Sequence, residues 1–384
     1  RQMCIRDRPQ LMTNKGATVT STIEVDVKAN NRWASEDATV NRVYTLKCNK
    51  PEFSIVTNPG NFWCKEFSVD SCDIKTGDIE TISQKIQYQY RKKGDEQWID
   101  CDRLVQFDDY PVDKQYQIRA VYREGIETEP VDVVLETPQQ LPNSDMEEWY
   151  IEEKKKSGTW PSKDKTYYTF HPYAEGNASS SWWATNNDKA QGGTYAFGIW
   201  YEGCFASCVS YTEDAHGGTK AALMYLSGCG DGYANTAGTY VGGAMVGSLF
   251  IGTYDSGIIQ GHDFGSRPTS MSFWYKYKPY NSDAFKVVVS LKNGDREIAT
   301  GTYEPAASSE ENGEYGHATV DFNYTEPFEK ATSICVQFLA SNKTSLSQSD
   351  FDLGTTITYP VIGDWTVHMG SILKIDDISL AFDK

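Results

Sequence analysis

The feature that most constrains the fold of this chain is a period-two alternation of apolar and polar residues, which recurs in short runs along the sequence. Successive side chains of a β-strand point to opposite faces of a sheet, so this alternation predicts strands with one buried face. Turn-forming residues separate the runs, and amphipathic helical patterns are almost absent. We therefore predict an all-β protein. The clearest run in the first half is YQIRAVY, which places on one face Tyr116, Ile118, Ala120 and Tyr122.

The strongest turn signal lies in the second half, where the runs FKVVVSLK and REIATGTY are joined through Asn293 and Gly294. An Asn-Gly pair between two alternating runs favours a tight β-hairpin. Val287, Val289 and Leu291 would then face a core. About a dozen such runs follow residue 141 without an internal repeat, which favours a jelly-roll β-sandwich over a barrel or a propeller.

Four segments follow from the pattern. Residues 1–8 (RQMCIRDR) fit neither a strand nor a targeting signal, and we predict that they are a sequencing artefact. Residues 9–47 hold two alternating runs and are predicted to be strands of a truncated preceding domain or a leader. Residues 48–137 form a unit of short strands, and residues 141–384 form a larger C-terminal domain. Two prolines among polar residues in the segment between them predict the boundary, because proline cannot donate to a strand ladder.

The 48–137 unit carries the strand-turn YRKKGDEQW and the ending YQIRAVYREG…TEPV. These stretches resemble a fibronectin type III or related Ig-like module, and the resemblance implies a β-sandwich that acts as a spacer. The predicted fold class is therefore an Ig-like or fibronectin III-like β-sandwich followed by a larger jelly-roll β-sandwich.

Charge and composition narrow the partners. The formal net charge is −17, which disfavours a nucleic-acid partner because phosphate backbones are bound by basic patches. No run of about 18 apolar residues is present, so we predict no transmembrane span. The 24 Tyr and 10 Trp suit surfaces on which sugar rings stack, although antiparallel sheets favour aromatic residues in any case. The acidity is also explained by solubility alone.

The C-terminal domain shows a series of landmarks, which are LPNSDMEEWY, WWATNN, GGTYA, AALMYLS, GSLFIGTY, GHDFGSRPTSMSFWYKYKP and SILKIDDISLAF. In this order they resemble the carbohydrate metabolism domain family of Bacteroidetes surface proteins. The resemblance implies an exported jelly roll that is similar to carbohydrate-binding modules and takes part in glycan use at the bacterial surface. It implies an extracellular or outer-membrane location, with a lipid anchor on a missing N-terminus. It carries over no catalytic residue.

A sugar site is predicted at the WWATNN motif. Adjacent strand residues point to opposite faces, so one tryptophan can anchor the core while the other lines a surface. An indole face complements the C–H face of a pyranose, and asparagine amides hydrogen-bond hydroxyls. The alternative is a pair of packing aromatics followed by a polar turn. The candidate residues are Trp182, Trp183, Asn186 and Asn187, with Trp160 and Trp200 as further candidates for the same cleft.

Arg267 precedes a long predicted strand, and its guanidinium group could donate a bidentate pair of hydrogen bonds to a sugar or a carboxylate. The alternative, which we favour, is that Arg267 pairs with an internal acid and fixes a loop.

A structural calcium ion is the one cofactor that the sequence suggests. Asp376 and Asp377 lie within the final apolar run, and Glu147 lies in the first strand of the same domain. Carbohydrate-binding jelly rolls often place such acids around a calcium ion, which prefers oxygen ligands. The alternatives are hydrogen-bonded, Arg-paired or exposed carboxylates.

Three functions remain open. The first is a non-catalytic protein that binds a polysaccharide or oligosaccharide at the cell surface. The second is a glycoside hydrolase on the same jelly roll, which would need two facing carboxylates that the sequence cannot choose. The third is an adhesion or structural surface protein. Disulfides and free buried thiols are both compatible with the cysteines at positions 48, 64, 72, 101, 204, 208, 229 and 335.

Overall fold

The computed structural model describes residues 19–29, 38–48, 50–123, 125–192, 194–196, 199–201, 206–228, 244–305 and 313–384. Only the backbone is described for residues 19–29, 38–48, 194–196 and 199–201, and at positions 353–355 and 365–367. Residues 1–18 lie outside the described part of the chain, so the predicted artefact at 1–8 and the start of the 9–47 segment, predicted to be strands of a truncated preceding domain or a leader, are not described. The chain divides into two compact units, residues 1–135 and residues 136–384.

The first unit is built from short strands and one helix. Its strands are β1 (Val19–Ala29), β2 (Ala38–Cys48), β3 (Phe53–Val56), β4 (Glu66–Ser68), β5 (Ser71–Ile74), β6 (Gln87–Lys92), β7 (Ile99–Cys101), β8 (Leu104–Gln106), β9 (Gln115–Val121) and β10 (Val131–Val134). Helix α1 spans Ile79–Lys85, and a 3₁₀ turn spans Pro59–Asn61.

Antiparallel pairing organises these strands. A four-stranded sheet has the order β10-β9-β6-β7, and the described residues also form the pairs β1-β2, β3-β5 and β4-β8. The alternation in YQIRAVY is confirmed, because Tyr116, Ile118 and Ala120 of β9 are buried. Their side chains enter a core that includes Phe67 and Val133. Burial of one face of each strand is what stabilises a sandwich of this kind.

The second unit contains the remaining strands. They are β11 (Tyr150–Lys156), β12 (Lys165–His171), β13 (Trp183–Thr185), β14 (Thr194–Ala196), β15 (Ile199–Tyr201), β16 (Val209–Thr212), β17 (Ala221–Ser227), β18 (Met245–Val246), β19 (Ser248–Tyr254), β20 (Ile258–Gln260), β21 (His262–Asp263), β22 (Ser270–Lys278), β23 (Lys286–Asn293), β24 (Arg296–Tyr303), β25 (Gly316–Asp321), β26 (Asn323–Tyr324), β27 (Ser333–Leu339), β28 (Asp352–Tyr359) and β29 (Gly363–Ala381). The short helix α2 spans Asn187–Ala190, and a 3₁₀ turn spans Gln348–Asp350.

Two large antiparallel sheets dominate this unit, and the strand pairs β11-β12 and β14-β15 form two further small sheets among the described residues. One follows the order β13-β19-β27-β23-β24-β26, with β20 and β21 attached, and the other follows the order β16-β17-β29-β22-β25, with β18 and β28 attached. The inner faces meet through aromatic rings: the centroid of Phe273 in β22 lies 5.3 Å from that of Phe338 in β27. The fold is therefore all-β, and this unit is a jelly-roll β-sandwich as predicted.

The predicted hairpin between β23 and β24 is confirmed. Asn293 pairs with Arg296 in the antiparallel register, and Gly294 adopts a φ of +58° that a side chain would disfavour. Val287, Val289 and Leu291 are fully buried, as the alternation predicts.

The proline-containing segment that follows residue 135 packs onto the second unit. The Gln140 side chain donates to the Leu380 carbonyl (2.7 Å) and accepts from the Leu380 amide (2.8 Å). Leu141 and Met146 are buried. These contacts tie the start of the unit to its last strand, β29.

Two further properties of the described residues concern membrane-spanning helices and cysteine thiols. Among the described residues, no helix has the length and apolar character needed to cross a membrane. Cys72, Cys101 and Cys335 are free thiols. Burial raises the pKa of each, to about 11 for Cys101, so these thiols are poor nucleophiles at neutral pH.

Candidate functional site

A cleft of about 200 Å³ lies in the second unit, where β12 and the turn after it meet β13, the start of α2 and the end of β19. We call it the aromatic cleft. Aromatic rings and short polar side chains dominate its lining, which consists of Thr169, His171, Pro172, Tyr173, Ala178, Ser181, Trp183, Ala184, Thr185, Asn187, Asp188, Gly252, Thr253 and Tyr254.

The predicted pair of tryptophans is divided by the strand β13. Trp183 pairs with Ile251 of β19 and is only 1% exposed, and its Nε1 donates to the Pro142 carbonyl at 2.8 Å. Trp182 points the other way and is partly exposed, with its ring stacked on His262 at a centroid distance of 4.1 Å. The prediction that adjacent residues take opposite faces holds. Trp183 therefore forms part of the floor of the cleft and offers no open face, whereas Trp182 does not line the cleft.

The two asparagines of the motif are structural. Asn187 is buried, and its Nδ2 donates to the carbonyls of Phe170 (2.9 Å) and Val209 (2.8 Å) while its Oδ1 accepts from the Val209 amide (2.9 Å). Asn186 is also buried, with Nδ2 donating to the Val246 carbonyl and Oδ1 accepting from an amide of β19. These amides connect neighbouring segments under the cleft through hydrogen bonds within the protein, and that they also bind sugar hydroxyls stays a prediction.

A row of stacked rings forms one rim of the cleft. His171 lies between Tyr150 and Tyr173, with ring centroids 5.9 Å and 5.2 Å apart. The antiparallel register of β11 and β12 sets Tyr150 directly opposite His171. The His171 ring is further fixed by Glu152, whose Oε2 lies 2.9 Å from Nε2. Offset stacking of this kind holds Tyr173 at the mouth of the cleft.

One lysine and one further acid lie beside Asp188, the acid that lines the cleft. Lys154 Nζ lies 2.9 Å from Asp188 Oδ1 and 3.2 Å from Glu152 Oε2. Burial acts to lower the pKa of Lys154, but the two carboxylates raise it overall. Burial likewise acts to raise the pKa of Glu152, but hydrogen bonds from His171 and Lys154 lower it overall. Lys154 and Glu152 therefore both stay charged at neutral pH.

The two tyrosines of the cleft stay neutral. Burial raises the pKa of Tyr173, and the negative charges of Glu152 and Asp188 raise it further. Burial and the charge of Asp188 raise the pKa of Tyr254 in the same way. A neutral phenol both donates and accepts hydrogen bonds. The cleft therefore combines aromatic faces, phenolic donors and a carboxylate acceptor.

Two of the other three sugar-site candidates lie elsewhere, and the third is not described at the side-chain level. Trp160 is 86% exposed in the loop between β11 and β12 and does not line the cleft. Trp200 lies in β15, and its side chain is outside the described part of the structure. Arg267 is 1% exposed, with its Nε donating to Glu136 Oε1 at 2.9 Å and its Nη1 to the Pro327 carbonyl at 2.7 Å. The internal-acid alternative is thus correct for Arg267, which cannot reach a ligand at the surface.

The first predicted calcium ligand, Glu147, accepts hydrogen bonds from a surface turn. Its carboxylate receives the amide of Thr219 at 2.6 Å, the Thr219 hydroxyl at 2.6 Å and the amide of Lys220 at 2.9 Å. Partial burial acts to raise the pKa of Glu147, but these hydrogen bonds lower it overall.

The other two predicted ligands meet the same turn. Asp376 is buried, and its Oδ2 accepts from the amides of His216 (2.7 Å) and Gly217 (3.1 Å). Asp377 Oδ2 lies 2.6 Å from Nδ1 of His216. The acids thus converge as the sequence suggests, but N–H donors fill the positions that a cation would need, so the residues do not fit calcium as placed. Among the described residues, no group of three or more His, Cys, Asp or Glu is arranged to hold a metal ion. The calcium ion stays a prediction.

Sequence reasoning missed the residues that shape the mouth of the cleft, which are His171, Tyr173, Asp188, Thr253 and Tyr254. The sequence signal that could have identified these residues is their position near the ends of strands and next to turns. Gly252, which precedes the last two, has a φ of +140°, and a Cβ there would collide with the Ile259 carbonyl of β20. The absence of a side chain at Gly252 lets β20 approach and pair with the end of β19, which carries Tyr254.

Comparisons with known proteins give a structural likeness. No family model matches the chain, and no curated protein matches it. Among solved structures, it is similar to the carbohydrate-binding module TmCBM61 in complex with β-1,4-galactotriose, at 12% identity and a TM-score of 0.25, over 52% of this chain and 88% of that one. It is also similar to a carbohydrate-binding module of the β-sandwich superfamily with promiscuous specificity, at 9% identity and a TM-score of 0.26, over 86% and 97%.

Proposed function

We propose that this chain binds carbohydrate in the aromatic cleft and does so without catalysis. The observation that carries the proposal is the convergence of Tyr173, Tyr254 and Asp188 at the mouth of one cleft in a jelly-roll sandwich. Ligand sites are typically concave, lined by aromatic side chains and furnished with a few convergent polar groups. The cleft has each of these properties.

The chemistry of the rim suits a sugar. A pyranose has C–H faces that pack on aromatic rings and hydroxyls that donate and accept hydrogen bonds. The partly exposed rings of Tyr173 and Tyr254 supply the apolar faces. Asp188 is exposed and supplies a charged acceptor, and charge-assisted hydrogen bonds are stronger than neutral ones.

The charge balance narrows the class of glycan. Asp188 lines the cleft, and Lys154 beside the cleft is paired with both Asp188 and a second carboxylate, Glu152. The chain as a whole carries a formal charge of −17. An anionic sugar would be repelled by both the rim and the overall field, so the proposed ligand is a neutral polysaccharide or oligosaccharide. Following the family resemblance of the sequence, we extend the proposal to an exported protein at a bacterial surface.

The described cleft favours binding over glycoside hydrolysis. A glycosidase needs a protonated carboxyl group whose pKa is raised, facing a second carboxylate. Glu152 has a lowered pKa, and both Glu152 and Asp188 are engaged by the same lysine. Among the described residues, the acids with a raised pKa are Glu136 and Asp376, which are buried and do not line the cleft.

A glycan screen followed by titration tests the proposal. The full chain is applied to a glycan array, and the strongest ligand is titrated by calorimetry against wild type and Tyr173→Ala. We expect Tyr173→Ala to weaken binding at least about tenfold, which corresponds to about 1.4 kcal/mol. Near-UV circular dichroism checks that the variant is folded.

Two tryptophan variants test whether the carbohydrate-binding site is the aromatic cleft. Trp160→Ala removes an aromatic side chain that is more exposed than Tyr173 but lies outside the cleft, and it should leave binding unchanged. Trp182→Ala tests the stacked pair with His262. Binding that survives Tyr173→Ala but is lost in Trp182→Ala, or the absence of any glycan ligand, would refute the proposal.

A further inference from the structure

A second hollow, of about 250 Å³, lies beside the aromatic cleft and shares Tyr254 with it. Besides Tyr254, its lining includes Lys189, Met245, Ser256 and Ile258. We call it the Ile258 hollow. Neither space alone reaches the lower limit of about 300 Å³ that is usual for ligand pockets, but the two together fall within the usual range.

The local structure places the two spaces side by side. Asp188 and Lys189 are consecutive residues of helix α2, and the first lines the aromatic cleft while the second lines the Ile258 hollow. On the other side, β19 ends at Tyr254 and the chain turns into β20, which begins at Ile258. Tyr254 therefore lies between the aromatic cleft and the Ile258 hollow and lines both.

The two spaces differ in character. The aromatic cleft offers Asp188 and Thr253 as polar groups, whereas the Ile258 hollow presents the side chains of Met245 and Ile258. Ile258 is 39% exposed, so its side chain is accessible to a ligand in the hollow. Met is well suited to an apolar surface that must fit an irregular ligand.

We propose that the aromatic cleft and the Ile258 hollow form one binding surface, and that the ligand is an oligosaccharide of at least two sugar residues that straddles Tyr254. One residue lies in the cleft beside Asp188, and the next packs its C–H face against Met245 and Ile258. This inference rests on the proposed function, because it extends the same site. It predicts that affinity depends on chain length, which a single-sugar site would not show.

The test compares ligands of increasing length. Calorimetry on the full chain measures glucose, cellobiose and cellotriose, then galactose, β-1,4-galactobiose and β-1,4-galactotriose, and then fragments of one, two and three residues from the strongest glycan-array ligand. In the series that binds, the disaccharide should bind at least about tenfold more tightly than the monosaccharide.

A matched pair of variants assigns the gain to the hollow. Ile258→Ser should reduce the ratio of disaccharide to monosaccharide affinity at least about threefold while leaving monosaccharide affinity unchanged. Ile259→Ser alters the neighbouring isoleucine, which is 54% exposed and does not line the hollow, and should change neither value.

The outcomes separate the two proposals. If a monosaccharide binds within about twofold of its disaccharide, or if Ile258→Ser leaves the ratio intact, the extended surface is wrong while carbohydrate binding stands. If no series and no array glycan binds wild type, both proposals fail together.

Discussion

The Lys154 ammonium lies 2.9 Å from Asp188 Oδ1, so a residue of β11 holds a residue of α2 in place at the mouth of the aromatic cleft. The same ammonium contacts Glu152 two residues earlier on its own strand. Exposed ion pairs contribute little to stability, because solvent screens them. We infer that this ion pair orients the Asp188 carboxylate and contributes little to the stability of the fold.

The first prediction concerns that carboxylate. Asp188→Asn preserves the size of the side chain but removes the charge that strengthens hydrogen bonds to sugar hydroxyls, so binding of the array ligand should weaken about tenfold, or about 1.4 kcal/mol. Calorimetry measures the affinity. Glu153→Gln, an exposed acid on β11 outside the cleft, is the control and should bind as wild type does. Equal affinity of wild type and Asp188→Asn would show that Asp188 does not contact the ligand.

The second prediction concerns the buried amide beneath the cleft. Asn187→Ala leaves the carbonyls of Phe170 and Val209 and the Val209 amide without their partner. Unsatisfied buried polar groups cost about 1–3 kcal/mol each, so the free energy of unfolding should fall by at least about 2 kcal/mol. Urea denaturation measures this value. Asn177→Ala, at an exposed position, should change it by less than about 0.5 kcal/mol. A fully stable Asn187→Ala variant would contradict the described hydrogen bonds.

The third prediction concerns pH. The pKa of Glu152 in the folded chain is lowered, because hydrogen bonds from His171 and Lys154 outweigh the opposing effect of burial. The unfolded chain therefore binds more protons, and the stabilisation is present above the ordinary glutamate pKa of about 4.3 and is lost as pH falls through the folded value. Urea denaturation between about pH 7 and about pH 3 should show the advantage of wild type over Glu152→Gln narrowing as pH falls. If the difference in free energy of unfolding between wild type and Glu152→Gln stays constant or widens in acid, the proposed stabilisation by ionised Glu152 is wrong.

The fourth prediction concerns the buried ion pair. Arg267→Ala leaves the Glu136 carboxylate buried without its partner, and breaking such a pair costs about 3–5 kcal/mol. The double variant Arg267→Met with Glu136→Met should recover most of that loss, because apolar residues of similar size often replace a buried pair without penalty. Thermal unfolding of both variants measures the effect. A double variant as unstable as Arg267→Ala would show that the carbonyl contacts of Arg267, and not the charge pair, dominate.

Local patterns predicted what depends on neighbours in sequence. The hairpin at Asn293 and Gly294 follows from turn chemistry within a few residues, and the alternation that buries Val287 and Val289 follows from strand geometry. The opposite faces of Trp182 and Trp183 have the same origin. Each of these relations is fixed by the backbone alone, which is why the sequence was sufficient.

Long-range partners could not be predicted in the same way. Arg267 finds Glu136, an acid 131 positions away, and no local pattern identifies it. Asn187 points inward and donates to two carbonyls from separate strands. These carbonyls come together only in the folded chain, so no local pattern indicates the contact. The cleft has the same character, since Tyr173 follows β12 and Tyr254 ends β19, and these distant segments line one cleft only in the folded chain.

A crystal structure of the full chain with the strongest glycan-array ligand tests the central claim most directly. It should show a sugar ring packed on Tyr173 or Tyr254, with a hydroxyl within about 3.2 Å of an Asp188 carboxylate oxygen. A glycan seated elsewhere, with the aromatic cleft filled by solvent alone, would contradict the assignment of this cleft as the binding site.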